Sequence, residues 1–88
     1  MKITIKPLSS HEWDLTRTPA YSRRRDIDAH LHKEMGAWVL SVFNASIKKA
    51  DDAYLEDIEI NRCPTGPNWN QVIMALAEYG SPIRRFLK

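Results

Sequence analysis

Between Ala20 and Ala50, apolar side chains recur at Ile27, Leu31, Met35, Trp38/Val39, Val42/Phe43 and Ile47. Gaps of three and four residues mark one face of a helix. The pattern predicts a single long helix, with Ser41, Asn44 and Lys48 on its polar side. Gly36 interrupts it, at a cost of about 1 kcal/mol relative to alanine in a helix interior. That interruption admits a rival parse. The helix then covers 19–35, Gly36 is its left-handed end, and 37–43 forms a buried strand, whose Trp, Val and Phe content suits a sheet.

The flanking segments are shorter. Lys2 to Lys6 alternates polar and apolar residues and predicts a strand, which Pro7 closes. Ser9 and Glu12 have the spacing of a capping box, which predicts a short helical turn through Trp13 and Leu15. Thr18-Pro19 reads as a helix start. Ile58 to Arg62 alternates again and offers the obvious pairing partner for residues 2–6, acidic against basic across the ladder. Cys63 to Pro67 is a loop, with two prolines and a glycine. Asn68 to Tyr79 predicts a second helix with Trp69, Val72, Ile73, Leu76 and Tyr79 on its apolar face, stopped by Gly80 and Pro82. Ile83, Phe86 and Leu87 are expected to dock back on the core, with Arg84 and Arg85 outward.

The expected fold is α+β in a single domain over 1–88. It has one long helix, one shorter C-terminal helix and a minimal antiparallel sheet from residues 2–6 and 57–62. The alternative is a βαββα arrangement with a third strand at 37–43. Trp13, Trp38 and Trp69 each lie within an apolar face and are expected in the core.

Composition narrows the class. The chain has 88 residues, 43% hydrophobic and 27% charged, which supports a globular core rather than disorder. Its longest unbroken apolar run, Ala37 to Leu40, falls far below the ~20 residues of a membrane span. No basic n-region followed by an apolar stretch opens the chain, so the expectation is a soluble, cytoplasmic protein. The net charge of +2 hides an asymmetry. Residues 1–25 carry Lys2, Lys6, Arg17, Arg23, Arg24 and Arg25 against Glu12 and Asp14. Residues 51–62 carry Asp51, Asp52, Glu56, Asp57 and Glu59 against Arg62 alone. A pI of about 8.9 sits just under the footprint usual for nucleic-acid binding, a pI above about 9 for the domain.

Little in the chain reads as catalytic chemistry. On a helix, Asp26, His30 and Glu34 would share one face. The span from i to i+8, about 12 Å, is too long for one ion, so no metal and no cofactor are expected. Cys63 has no local base, and a lone cysteine forms no disulfide within the chain. Three scattered glycines make no phosphate loop. The expectation is therefore a non-enzyme that binds another macromolecule. A protein partner comes first, engaged by Asp51, Asp52, Glu56, Asp57 and Glu59, through contact with a basic surface or mimicry of phosphate charge toward a nucleic-acid-binding complex. Compact proteins of this size without a catalytic set include many phage and mobile-element inhibitors, anti-CRISPR proteins among them. That expectation rests on frequency alone and on no motif. The alternative is a small nucleic-acid-binding protein using Tyr21, Arg23, Arg24, Arg25, Lys48, Lys49, Arg84 and Arg85. Nothing in the sequence sets the oligomeric state.

Overall fold

The computed structural model describes residues 1–80. Four antiparallel strands follow one another: β1 (Lys2–Ser9), β2 (Glu12–Thr18), β3 (Ile27–Glu34) and β4 (Ala37–Asn44). A single turn of helix, α1 (Ala50–Ala53), leads into β5 (Tyr54–Ile60). The minute hairpin β6 (Arg62–Cys63) and β7 (Gly66–Pro67) precedes α2 (Trp69–Glu78). The strands form one sheet in the order β1-β2-β3-β4-β5, a meander in which every strand pairs with its neighbour in sequence.

The long helix predicted over 20–50 does not form. Its place is taken by the β3–β4 hairpin, and the physical reason lies in the side chains themselves. Ile27, Ala29 and Leu31 are buried at every second position, as are Trp38, Leu40 and Val42. A gap of four residues is even, so Ile27, Leu31 and Met35 fit a strand as well as a helix. Ala29 completes the strand reading. Met35 is fully exposed and belongs to neither face. It forms the two-residue turn with Gly36, φ 50° and 82° respectively. Positive φ at both central residues is the geometry that matches strand twist. The βαββα alternative fails with the helix over 19–35, although its strand at 37–43 coincides with β4.

Met35 is a poor residue for that turn, because a left-handed conformation costs most side chains about 1–2 kcal/mol. Asparagine tolerates it. Met35→Asn should therefore stabilise the protein by about 0.5–1 kcal/mol, read as a rise in thermal midpoint. An unchanged or lower midpoint would show that this turn does not limit the hairpin.

Other expectations shift with the topology. Residues 2–6 do not pair with 57–62. β1 pairs with β2, Ile5 opposite Leu15, while β5 pairs with β4 at the far edge. Short connections make sequential strands neighbours, and this outweighs charge matching across a distant pair. Ser10 and His11 join β1 to β2, so the capping-box spacing marks a hairpin turn rather than a helix. Pro19 accepts a turn hydrogen bond from Ser22 and starts no helix.

The second helix does form. Asn68 caps α2 by accepting from the Gln71 amide at 3.2 Å, and Gly80 follows the helix with φ 77°. Val72 and Leu76 are buried against Leu15, Ile27, Leu31, Leu40 and Ile60. Thus α2 covers one face of the sheet and completes a single core. Trp38 is buried, whereas Trp13 and Trp69 are half-buried and pack on the core margin. The docking expected of Ile83, Phe86 and Leu87 lies outside the described residues.

Candidate binding surface

A strand sends alternate side chains to opposite faces. Once odd positions of β2 and β3 and even positions of β4 form the core, the remaining residues line the second face. Cross-strand register sorts them into rows. One row runs Lys6, Asp14, His30, Ser41, Asp57, and the next Thr4, Thr16, Asp28, Phe43, Tyr54.

The first row is acidic and hydrogen-bonded. His30 sits between two carboxylates, with Nδ1 3.0 Å from Asp14 Oδ1 and Nε2 3.3 Å from Glu12 Oε2. His32 stacks on His30 with centroids 5.0 Å apart and places Nε2 3.3 Å from Glu34. Ser41 donates to Asp57 Oδ1 at 2.8 Å. Asp14, His30 and Ser41 thus occupy adjacent strands in the order of a nucleophilic triad, but their bonds do not make one. A serine nucleophile requires its hydroxyl on the base. Here both His30 nitrogens face carboxylates, and the Ser41 proton goes to Asp57. Among the described residues, no group of three or more His, Cys, Asp or Glu side chains is arranged to hold a metal ion.

Sequence reasoning missed this cluster. It grouped Asp26, His30 and Glu34 by helical spacing. In the structure, Asp26 precedes β3 and pairs with Arg17, while His30 faces Glu12 and Asp14 from another strand. The signal was present in the alternation of Asp28, His30, His32 and Glu34 with Ile27, Ala29 and Leu31.

The five acidic residues singled out from sequence lie on one continuous segment, with Asp57 and Glu59 on the open sheet face and Glu56 on the opposite one. Asp51 and Asp52 lie on α1, which runs directly into edge strand β5 with Glu56, Asp57 and Glu59. All five are exposed. Among the described residues none of them pairs with a cation. Desolvation, followed by the Asp57 and Glu56 carboxylates, raises the Tyr54 phenol above its ordinary value of 10.0. At its far end the β5 edge is occupied: Gln71 accepts from the Asn61 amide and donates to the Glu59 carbonyl.

The basic residues are dispersed. Tyr21 is 91% exposed, with Arg23 and Arg24 beside it in the β2–β3 connection. They belong to no helix. Arg25 pairs with Asp28 at 2.9 Å. Lys48 and Lys49 are exposed in the β4–α1 connection. Arg25 and Lys48 meet at a groove of about 550 Å³, lined also by Lys6, which the sequence did not suggest. Tyr21, Arg23, Arg24 and Lys49 do not line it, and Arg84 and Arg85 lie outside the described residues.

No helix among the described residues is long and apolar enough to cross a membrane. Comparison with protein-family models, curated proteins and solved structures finds no match to this chain.

Proposed function

We propose that this chain is a non-catalytic binding protein whose α1–β5 surface engages a basic surface on a protein partner. The observation that carries the reading is the run of five exposed carboxylates, Asp51, Asp52, Glu56, Asp57 and Glu59, without a cation partner among the described residues. Unpaired like charges so close together repel one another, and a basic partner relieves that repulsion. Charge complementarity speeds encounter and fixes register. The Glu12–Asp14–His30 cluster lies on the sheet face that also carries Asp57 and Glu59. Its two carboxylates exceed the single charge His30 carries when protonated. Partners of matching chemistry include nucleic-acid-binding proteins, whose basic faces are built for phosphate. An inhibitor of the phage or mobile-element kind, anti-CRISPR proteins included, acting in the cytoplasm, fits this chemistry.

The test is capture from lysate of a prospective host, with and without nuclease treatment. Asp52→Lys with Glu56→Lys should reduce capture of the wild-type partner at least tenfold and leave thermal melting near wild type, since both side chains are exposed. Replacing Arg23, Arg24 and Arg25 with alanine should leave capture intact. The opposite pattern, with nuclease abolishing capture, favours nucleic-acid binding. That second reading draws support from the meeting of Arg25, Lys48 and Lys6 at one groove.

A further inference from the structure

We propose that the groove between the open sheet face and the 44–53 connection is a binding site for a nucleoside monophosphate. It adjoins the acidic α1–β5 surface, since Ala50 and Ala53 of α1 line it, but uses different side chains. Its size, about 550 Å³, falls within the ~300–1,000 Å³ usual for small-molecule sites. Its floor is the cross-strand row Thr4, Thr16, Asp28, Phe43, and Ile47 and Lys48 stand on its wall.

Each part of that ligand has a counterpart. Lys6 of edge strand β1 and Lys48 of the β4–α1 connection both line the groove, as does Asp14 across from Lys6, and neither lysine forms an ion pair among the described residues. Two ammonium groups match a dianionic phosphate better than a single carboxylate, and lysine binds phosphate as a point charge. Thr4 and Thr16 line the groove side by side and offer hydroxyl donors. Phe43 supplies an apolar ring at the β4 end, beside Ile47, and stacking on an aromatic ring tolerates any base. Asp28 also lines the groove. Arg25 Nε holds its Oδ1 at 2.9 Å, so the acceptor it can offer a ribose hydroxyl or a base amino group is its other carboxylate oxygen.

The experiment is a titration of the full chain, followed by calorimetry and amide chemical shifts, with AMP, adenosine, inorganic phosphate and a short single-stranded oligonucleotide. AMP should bind saturably, at least tenfold tighter than adenosine or phosphate, with shifts centred on Thr4, Thr16, Phe43 and Lys48. Lys6→Gln with Lys48→Gln should weaken AMP at least tenfold, while thermal melting stays near wild type because both lysines are exposed. Phe43→Leu should weaken AMP and leave phosphate unchanged. Absence of saturable AMP binding overturns the proposal, as does phosphate binding as tightly as AMP. An oligonucleotide that binds far tighter than AMP, with shifts spreading to Arg23 and Arg24, overturns it in favour of a nucleic-acid track. None of these failures touches the acidic-surface reading, which Asp52 and Glu56 test separately.

Discussion

Trp38→Ala should destabilise the protein by about 3–5 kcal/mol, the range for removing a large buried aromatic, and leave it partly unfolded at room temperature. Trp38 is 5% exposed and sits in β4 between Lys33 and Ile60 of the neighbouring strands. Trp13 tilts against it with ring centroids 5.7 Å apart, and Trp13 in turn meets Trp69 edge-on at 5.1 Å. His11 stacks over Trp38 at 6.0 Å, and the Lys33 ammonium lies 5.6 Å from its ring. The indole therefore seals the end of the core where α2 begins, and no neighbour is placed to fill its volume. Trp69→Ala should cost less, because Trp69 is half-buried and contacts the cluster through one edge. Urea unfolding of both variants, with Met74→Ala as an exposed control, checks the order. A Trp38→Ala protein as stable as the control would mean that this end of the sheet is not packed as described.

The second helix was legible because several independent signals coincide there. Asn68 has a side chain that caps, Val72 and Leu76 share a face, and Gly80 ends the pattern. The central hairpin was not. Its apolar residues fall at spacings that two periodicities explain, and the decisive residue is Ala29, too small to stand out as core. An Asn-Gly or Asp-Gly pair would have marked the turn, whereas Met35-Gly36 conceals it and Met35 even mimics a core position. Register was hidden for a different reason. Which strand lies beside β1 is a property of the whole sheet, so the Glu12–Asp14–His30 cluster and the Lys6–Lys48 groove exist only after folding. The acidic residues 51–59 share one segment because they are contiguous in sequence, while the alternation that turns Glu56 away from Asp57 and Glu59 was hidden with the strand itself.

Arg17→Met should lower stability by about 3 kcal/mol at neutral pH, because it removes four hydrogen bonds to part-buried polar groups. Arg17 occupies a core-facing position of β2, opposite Ile3 and Ile27, and its side chain is only 12% exposed. Nε and Nη2 donate to the two Asp26 oxygens at 3.0 and 2.6 Å. Nη1 donates to the carbonyls of Leu76 and Tyr79 at 2.7 and 2.8 Å. Those carbonyls lie at the end of α2, where Leu76 also accepts from the Tyr79 amide at 3.4 Å, and they carry the negative end of its dipole. One guanidinium thus fastens the helix to the sheet and to the β2–β3 connection. Methionine keeps the stem and loses every one of these bonds. The Asp26 carboxylate is partly in water, which keeps the expected loss at the low end for a broken buried pair. The hydrogen bond from Arg17 outweighs desolvation and holds Asp26 below its ordinary value of 3.8. Because the folded value is depressed, the stabilisation is complete well above pH 3.8 and disappears as pH falls through the folded value. Asp26→Asn should therefore be less stable than wild type at pH 7, with the gap closing as pH falls below the ordinary carboxylate range. Urea midpoints across that range decide it. A gap that stays constant down to acid pH would show that the ion pair contributes nothing and that Arg17 acts through the two helix carbonyls alone.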